Sequence, residues 1–320
     1  MRPAVGFAVA LALVACAPSK AAPDQPAAVA VAVAVKPIGQ WLAGSAPSVQ
    51  VGAFVYAGGL ELSAPRPFGG LSDLDVQPDG RMIAISDEGA LLRGRVVLDA
   101  KGRLTGVKDL TLGPLTNLED QPLSGSKIDS DSEGLALWPN GDLMISFEAR
   151  HRIWLYPAKG GPPRAVPFPD APFPNNDGME ALALDPSAGP DAYRVGREDT
   201  RETWVCHLAT SCTPDLRVGK AEYGKLVSAR PLPGGRWAFL FREFSPIGGV
   251  TSRLLIAGAD GAMIDLLTLA RPANVDNTEG VSALPRPDGS IRFYLISDDN
   301  FASNQRTLLM AFDWRPRRGK

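Results

Sequence analysis

Apolar residues in this chain come in short runs separated by turn-forming residues. In DSDSEGLALWPNGDLMISFE, Asp129 to Glu148, two apolar runs flank a Pro-Asn-Gly turn, and acidic residues stand at both ends. The pattern recurs in GLSDLDVQPDGRMIAISDEG from Gly70 and NDGMEALALDPSAGPDAYRVGRED from Asn176. It returns in KLVSARPLPGGRWAFLFREFS from Lys225 and NTEGVSALPRPDGSIRFYLISDDN from Asn277. Each copy reads as an apolar strand, a turn built on Pro, Asp, Asn or Gly, a second strand and then polar residues. Matching Ser72, Ser132, Met179, Ser228 and Thr278 puts the copies about 45–60 residues apart, the period of propeller blades.

Further strands complete the units. RIWLYP follows the second copy, and PRAVPFP after it is confined to a sheet edge by its prolines. The fourth copy supplies KLVSARPL, RWAFLFREF, SRLLIAG and MIDLLTLA. The fifth has only GVSALP, IRFYLIS and TLLMAFDW, so its fourth strand is expected from Gly52 to Ser63, GAFVYAGGLELS. Such closure by an N-terminal strand pairs two otherwise open sheet edges. The expected fold is all-β: a β-propeller of four-stranded blades with five countable copies and almost no helix. The 61-residue step from Ser72 to Glu133 leaves room for a sixth.

The apolar fraction, 45 %, suffices for a core, and 33 Gly with 29 Pro suit many tight turns. Net charge is −2 and pI about 5.8, so no basic field invites nucleic acid. Residues 1–16, MRPAVGFAVALALVAC, carry one Arg and an apolar run too short to span a bilayer, ending in a lipobox-like Leu13-Val14-Ala15-Cys16. Cys16 is therefore the expected lipidation site, an ordinary signal peptide cut near APSKAA being the alternative. The expected product is an exported bacterial lipoprotein, monomeric, held to the membrane through Cys16. It would face the periplasm, on the outer membrane in preference to the inner. Residues 17–40 read as a low-complexity tether and 41–320 as one propeller domain. In that oxidising setting Cys206 and Cys212 are expected to form a disulfide across HLATS. Metal ligation with His207 lacks further ligands.

The acidic residues bear on function. In a four-stranded blade, the loop entering the innermost strand and the loop leaving the second open on one face near the channel. Asp73, Glu133, Glu180 and Glu279 stand at the entrances; Asp87 with Glu88, Glu148, Glu198 with Asp199, Glu243, and Asp298 with Asp299 stand at the exits. Such a ring needs protonation, Arg partners or bound cations. With few His and no nearby Cys, a hard cation with oxygen ligands, Ca²⁺ first, is expected. Asp73, Glu133, Glu180, Glu279, Asp298 and Asp299 are the candidate ligands. Arg150, Arg197 and Arg242 sit at the same exits as candidate binders of an anionic substrate, or as plain partners of neighbouring acids. Each acid taken singly also suits turn chemistry.

The segments FGGLSDLDVQPDGRMIAISDEG, DSEGLALWPNGDLMIS, NDGMEALAL and EGVSALPRPDGSIRFYLISDDNF together resemble the phytase-like family, also described as esterase-like activity of phytase. The resemblance runs from about Gly58 to the C-terminus. It implies a propeller, and a secreted or envelope hydrolase of phosphate esters. In that scheme Ca²⁺ held by Glu133, Glu180, Glu279, Asp298 and Asp299 would bridge substrate phosphate, and a rim carboxylate, Glu133 or Glu279 first, would act as base. No Lys-rich mouth suited to a highly anionic substrate such as phytate is visible, so smaller phosphate esters fit better. A calcium-dependent lactonase or esterase is the second expectation, since SEG and TEG resemble the calcium ligand position of gluconolactonase-type propellers. A non-catalytic envelope binding propeller is the third. A Ser-His-Asp esterase is disfavoured by the absence of G-x-S-x-G and by only two His, of which His151 follows an exit and His207 lies on an outer strand.

Overall fold

Alternating short strands and tight turns close into a ring of five blades in this computed structural model, which describes residues 28–123 and 126–316. Blade 1 comprises Leu71–Val76, Arg81–Ser86, Ala90–Leu98 and Leu104–Pro114. Blade 2 comprises Ser132–Leu137, Leu143–Phe147, Arg152–Tyr156 and Arg164–Val166; blade 3, Ala181–Leu184, Ala192–Gly196, Glu202–His207 and Cys212–Arg217. Blade 4 comprises Lys225–Leu232, Arg236–Ser245, Gly249–Ala257 and Met263–Leu269. Blade 5 joins Asn277–Pro285, Ile291–Asp298 and Thr307–Trp314 to the N-terminal strand Phe54–Ser63, so the ring closes as the pattern predicts.

Each innermost strand packs against those of its two neighbours, and blade 5 returns to blade 1, which settles the count at five. The long step after blade 1 holds a loop and one helical turn, Lys127–Ser130. The core is divided in the same way, with one apolar cluster filling each of the five gaps between blades. The cluster between blades 4 and 5, for example, gathers Leu240, Leu254, Phe293, Phe312 and Trp314, all fully buried. Strand alternation produces this arrangement, because both faces of every blade must meet a neighbour.

Part of the expected tether belongs to the sheets. Val29–Ala30 pairs with the outer strand of blade 1, and Ala34–Ile38 pairs with Phe54–Ser63 in blade 5. The Ala/Val alternation read as low complexity supplies edge strands from residue 29 onward. Cys206 and Cys212 face each other on neighbouring strands of blade 3, Cα atoms 4.0 Å apart, and are disulfide-bonded. The leader with Cys16 lies outside the described residues. No helix among the described residues is long and apolar enough to cross a membrane.

Candidate functional site

The inner strands share a local irregularity that builds the site. Pairing between first and second strands slips between Leu71 and Asp73 in blade 1, and between Ile145 and Phe147 on the partner strand in blade 2. It slips again between Leu226 and Ser228 and between Thr278 and Gly280 in blades 4 and 5. A β-bulge of this kind leaves one residue unpaired and re-aims its side chain. The bulged positions are Ser72, Glu133, Val227 and Glu279, with Glu180 equivalent in blade 3, just before Ala181. After Glu133 and Glu279 comes glycine, because the next inner strand passes close by. A Cβ on Gly134 would lie 2.4 Å from the Glu180 carbonyl oxygen, and one on Gly280 would lie 2.7 Å from the Asp73 Cα.

This alignment corrects Asp73. It lies one residue past the bulge, equivalent to Gly134 and Gly280, and its side chain faces the packed centre of the ring. Asp73 is fully buried and accepts from Arg230 Nη2 at 2.8 Å, the amides of Leu74 and Leu135 at 2.9 Å each, and Ser228 Oγ at 3.1 Å. Burial pushes its carboxyl up to about 6 against the pull of Arg230, which leaves it ionised at neutral pH. Asp73 is a structural anion and not part of the mouth.

The exits form a second ring. Amide bonds from Asp87 to the Gly70 carbonyl, Glu148 to Asp131 and Glu198 to Gly178 match the pairs Lys225 with Arg242 and Asn277 with Asp298. The mouth is therefore lined by Asp87, Glu148, Glu198, Arg242 and Asp298, with Asp131 and Lys225 beside them. Within it Asp131, Glu133 and Glu148 bring one oxygen each within 4.8 Å of one another, as do Glu148, Glu180 and Glu198. Glu148 belongs to both triads, and the Gly178 amide holds its Oε1 at 2.9 Å.

The cations are unevenly placed. Arg242 of blade 4 bonds Glu279, donates to Asn277 Oδ1 at 2.6 Å and reaches Glu198 at 3.5 Å; Asn277 in turn donates to Glu279 at 2.8 Å. Lys225, also of blade 4, contacts Glu198 at 3.1 Å and Asp177 at 2.6 Å. Lys127 contacts Asp87 at 2.9 Å and Asp131 at 3.4 Å. Eight carboxylates, Asp87, Asp131, Glu133, Glu148, Glu180, Glu198, Glu279 and Asp298, thus face three cations.

The electrostatics follow from this imbalance. Burial and then repulsion from Glu180, Asp131 and Glu279 raise Glu133 well above the ordinary carboxylate range. Burial, then Glu198, raises Glu180, Arg242 opposing. Burial raises Glu148 to about 7, with the Gly178 amide opposing and Asp131 and Glu198 adding to the rise. Asp298 rises to about 8 through burial and the neighbouring Glu279. Burial works against the Arg242 charge, but Glu279, Glu180 and Glu198 outweigh it and its pKa rises. These groups favour proton uptake, or a cation, over free ionisation.

Of the candidates read from sequence, Glu133, Glu180, Glu279, Asp298 and Arg242 meet here. Asp73, Asp299, Arg150 and Arg197 do not. Asp299 turns back to accept from the amides of Gly70 and Phe301, at 2.9 and 3.1 Å. Arg150 is 69 % exposed and pairs with Asp129; Arg197 forks onto Asp199 and donates to the Pro172 carbonyl. In each tandem acidic pair the first residue faces the mouth and the second does not: Glu88 pairs with Arg66, and Asp199 with Arg197. Blade 4 puts Arg242 at that position and turns Glu243 toward Arg253. His151 Nε2 lies 2.9 Å from the Pro174 carbonyl, its ring against Phe173, and His207 Nδ1 lies 3.0 Å from Asp191.

The sequence pattern missed Asp131, Lys127 and Lys225. Asp131 was visible in principle, since it stands two residues before Glu133 and alternation sends both to one side. The lysines gave no signal of their own.

A family model for phytase-like proteins, described as esterase-like activity of phytase, matches residues 66–301. The chain belongs to the phytase-like family. That match takes in blades 1 to 4 and the two inner strands of blade 5, ending just after Asp298. No curated protein matches the sequence of this phytase-like chain. Among solved structures, a putative gluconolactonase is similar at 16 % identity and TM-score 0.47, covering 83 % of this chain and 87 % of its own. A calcium-binding regucalcin from Agrobacterium tumefaciens is similar at 14 % and 0.47, covering 83 % and 88 %. A virginiamycin B lyase from Staphylococcus aureus is similar at 13 % and 0.40, covering 83 % and 85 %. At such values no feature of theirs transfers to this chain.

Proposed function

We propose that this phytase-like chain is an exported, calcium-dependent hydrolase of phosphate esters working at the acidic mouth. The observation that carries this is the pair of carboxylate triads sharing Glu148. The donor set is all oxygen, as Ca²⁺ prefers. Negative charge exceeds the local cations, and buried Asp87 Oδ1 has no hydrogen-bond partner among the described residues. Asp131, Glu133 and Glu148, with Glu180 and Glu198 alongside, would hold the ion. When bound, it would polarise the ester oxygen and lower the pKa of a water molecule.

The remaining work falls to the chain. Asp298, raised to about 8 and in neither triad, is suited to exchange a proton with water near neutral pH. Glu279, bonded to Arg242 and Asn277, is better placed to orient Arg242 than to act as base. Arg242, fixed by three oxygens, offers its guanidinium to an anionic substrate group. Cys16 would anchor the protein in the membrane.

One observation favours a second reading, a calcium-dependent lactonase or esterase: eight carboxylates against three cations suit a less charged substrate than a phosphate ester. The test is turnover of p-nitrophenyl phosphate and a panel of lactones, with and without chelator. Chelator-sensitive release of phosphate supports the first reading, and lactone opening alone supports the second. A protein that binds calcium and turns over neither is a binding propeller.

A further inference from the structure

Between blades 4 and 5 a cleft of ≈ 1110 Å³ opens beside the mouth and shares Lys225, Arg242 and Asn277 with it. One wall is the hairpin joining Arg236–Ser245 to Gly249–Ala257, whose pairing continues past Arg242 to Ser245 and Gly249. It therefore rises above the rim. Cross-strand partners Phe244 and Val250 line the cleft, and Phe244 is 72 % exposed. The opposite wall comes from the segment before the blade 5 inner strand and from the loop after Asp298.

The charge of this cleft is opposite to that of the mouth. Lys225, Arg242, Arg271 and Arg306 line it, against the acids Glu243 and Asp276. Lys225, Arg242 and Arg306 are held by carboxylates, Arg306 by Asp276 at 3.2 Å. Arg271 is not: among the described residues no carboxylate lies within ion-pair distance of it, and it is exposed. An unpaired guanidinium beside an exposed aromatic ring, next to a strongly acidic centre, is a combination that turn chemistry does not require. It matches a ligand with an apolar body and a negative end.

We infer that the cleft binds the non-reacting arm of the substrate, and that this arm carries an apolar or aromatic body ending in a carboxylate-like anion. The inference deepens the hydrolase reading above and names its substrate class: an ester whose scissile group sits over the acidic mouth while its distant anion meets Arg271. Phe244 and Val250 cover the body between them. Arg271 draws the arm's anion, while the ion that the mouth would hold draws the ester group, so the substrate enters in one orientation.

The test is calorimetric titration of the full chain with benzoate and with benzamide as its uncharged counterpart, each with calcium and with chelator. Benzoate is expected to bind about tenfold more tightly than benzamide. Arg271→Ala should remove that preference and Arg271→Lys should keep most of it, in both conditions. Glu133→Gln should affect only the part of benzoate binding that depends on calcium. Equal binding of the two probes, or a preference untouched by Arg271→Ala, overturns the inference. A second arm uses whichever ester class the chelator-sensitive panel shows to be cleaved, with and without a carboxylate on its remote arm. The KM advantage of the charged version should fall about tenfold in Arg271→Ala. Turnover with no such advantage sinks the cleft assignment and leaves the hydrolase reading standing. Benzoate preference without any turnover does the reverse.

Discussion

Asp73 and Glu133 are carboxylates one register step apart on equivalent inner strands, and they belong to different kinds of site. Asp73 has its oxygens met by Arg230, two amides and a hydroxyl, drawn from blades 1, 2 and 4. It pins the ring across its axis. Glu133 lies among Asp131, Glu148 and Glu180, with more anions than cations within reach. Asp73 is fully buried and Glu133 only half-buried, so depth of burial does not mark the functional acid. Satisfaction does: a buried charge with every lone pair engaged is structural, whereas a cluster left short of partners is a place for a ligand.

The largest effect expected from this contrast is on stability. Arg230→Met leaves Asp73 buried without its cation, which typically costs about 3–5 kcal/mol. Melting should fall sharply at any calcium concentration, while the protein that remains folded should bind calcium as before. Glu133→Gln should do the opposite, leaving the calcium-free protein as stable as the wild type or more so. A calcium affinity that collapses in Arg230→Met without unfolding would break the distinction between the two sites. Differential scanning calorimetry beside calcium titration reads both quantities.

Within the mouth the shared position of Glu148 sharpens the comparison. Glu148→Gln removes an oxygen from both triads and should weaken calcium binding by about two orders of magnitude. Asp131→Asn and Glu198→Gln, each touching one triad, should cost about tenfold. The rise in melting temperature with calcium should shrink in the same order, because stabilisation follows ligand concentration over its dissociation constant. Equal losses in all three variants would mean that Glu148 is not the common ligand.

Much of this was legible in the sequence because a propeller repeats itself. Strand–turn–strand pattern, five copies and the N-terminal closing strand all follow from alternation and turn residues. Matching LSDL and SEGL on serine misplaces Asp73. Matching Leu74 with Leu135 sets Asp73 opposite Gly134, the position that has no room for a side chain in blade 2. A one-residue slip reverses which face a side chain takes. Arg150 and Arg197 were legible as exit residues, but not as residues paired away from the mouth, since loop conformation decides that. The cleft with Arg271 and Phe244 was not legible at all. It depends on how far one hairpin rises and on two loops of another blade, and no periodic pattern encodes those.

The pH response separates the two sites more finely. Glu148 and Asp298 are raised in the folded protein to about 7 and 8, above ordinary carboxylates near 4. Between those limits the folded state binds more protons than the unfolded one, so stability falls as pH rises. The calcium-free protein should therefore be most stable near pH 4–5, lose stability up to about pH 8, and change little just above it. Calcium competes with those protons, so its effect on melting should grow over the same range. Asp73, raised only to about 6 and held by Arg230, should complete its share of the loss by about pH 7. Melting curves of wild type and Asp298→Asn at pH 5, 6.5 and 8 test this; the variant should show the shallower decline.

The smallest effect is expected at Arg150, and its smallness is informative. Its guanidinium is 69 % exposed and pairs with Asp129, itself 40 % exposed in its side chain. Exposed pairs of this kind contribute about 0–1 kcal/mol. Arg150→Ala should thus shift melting by no more than about 2 °C in a domain of this size. Calcium affinity should stay within twofold of the wild type, because Asp129 does not belong to either triad. Arg242→Ala, by contrast, frees Glu279 and Glu198 inside the mouth, which should raise calcium affinity while weakening the hold on any anionic ligand. Two exit arginines, on blades 2 and 4, would then give responses of different size. A change in calcium affinity in Arg150→Ala as large as that in Arg242→Ala would mean that the field of the mouth reaches its outer rim.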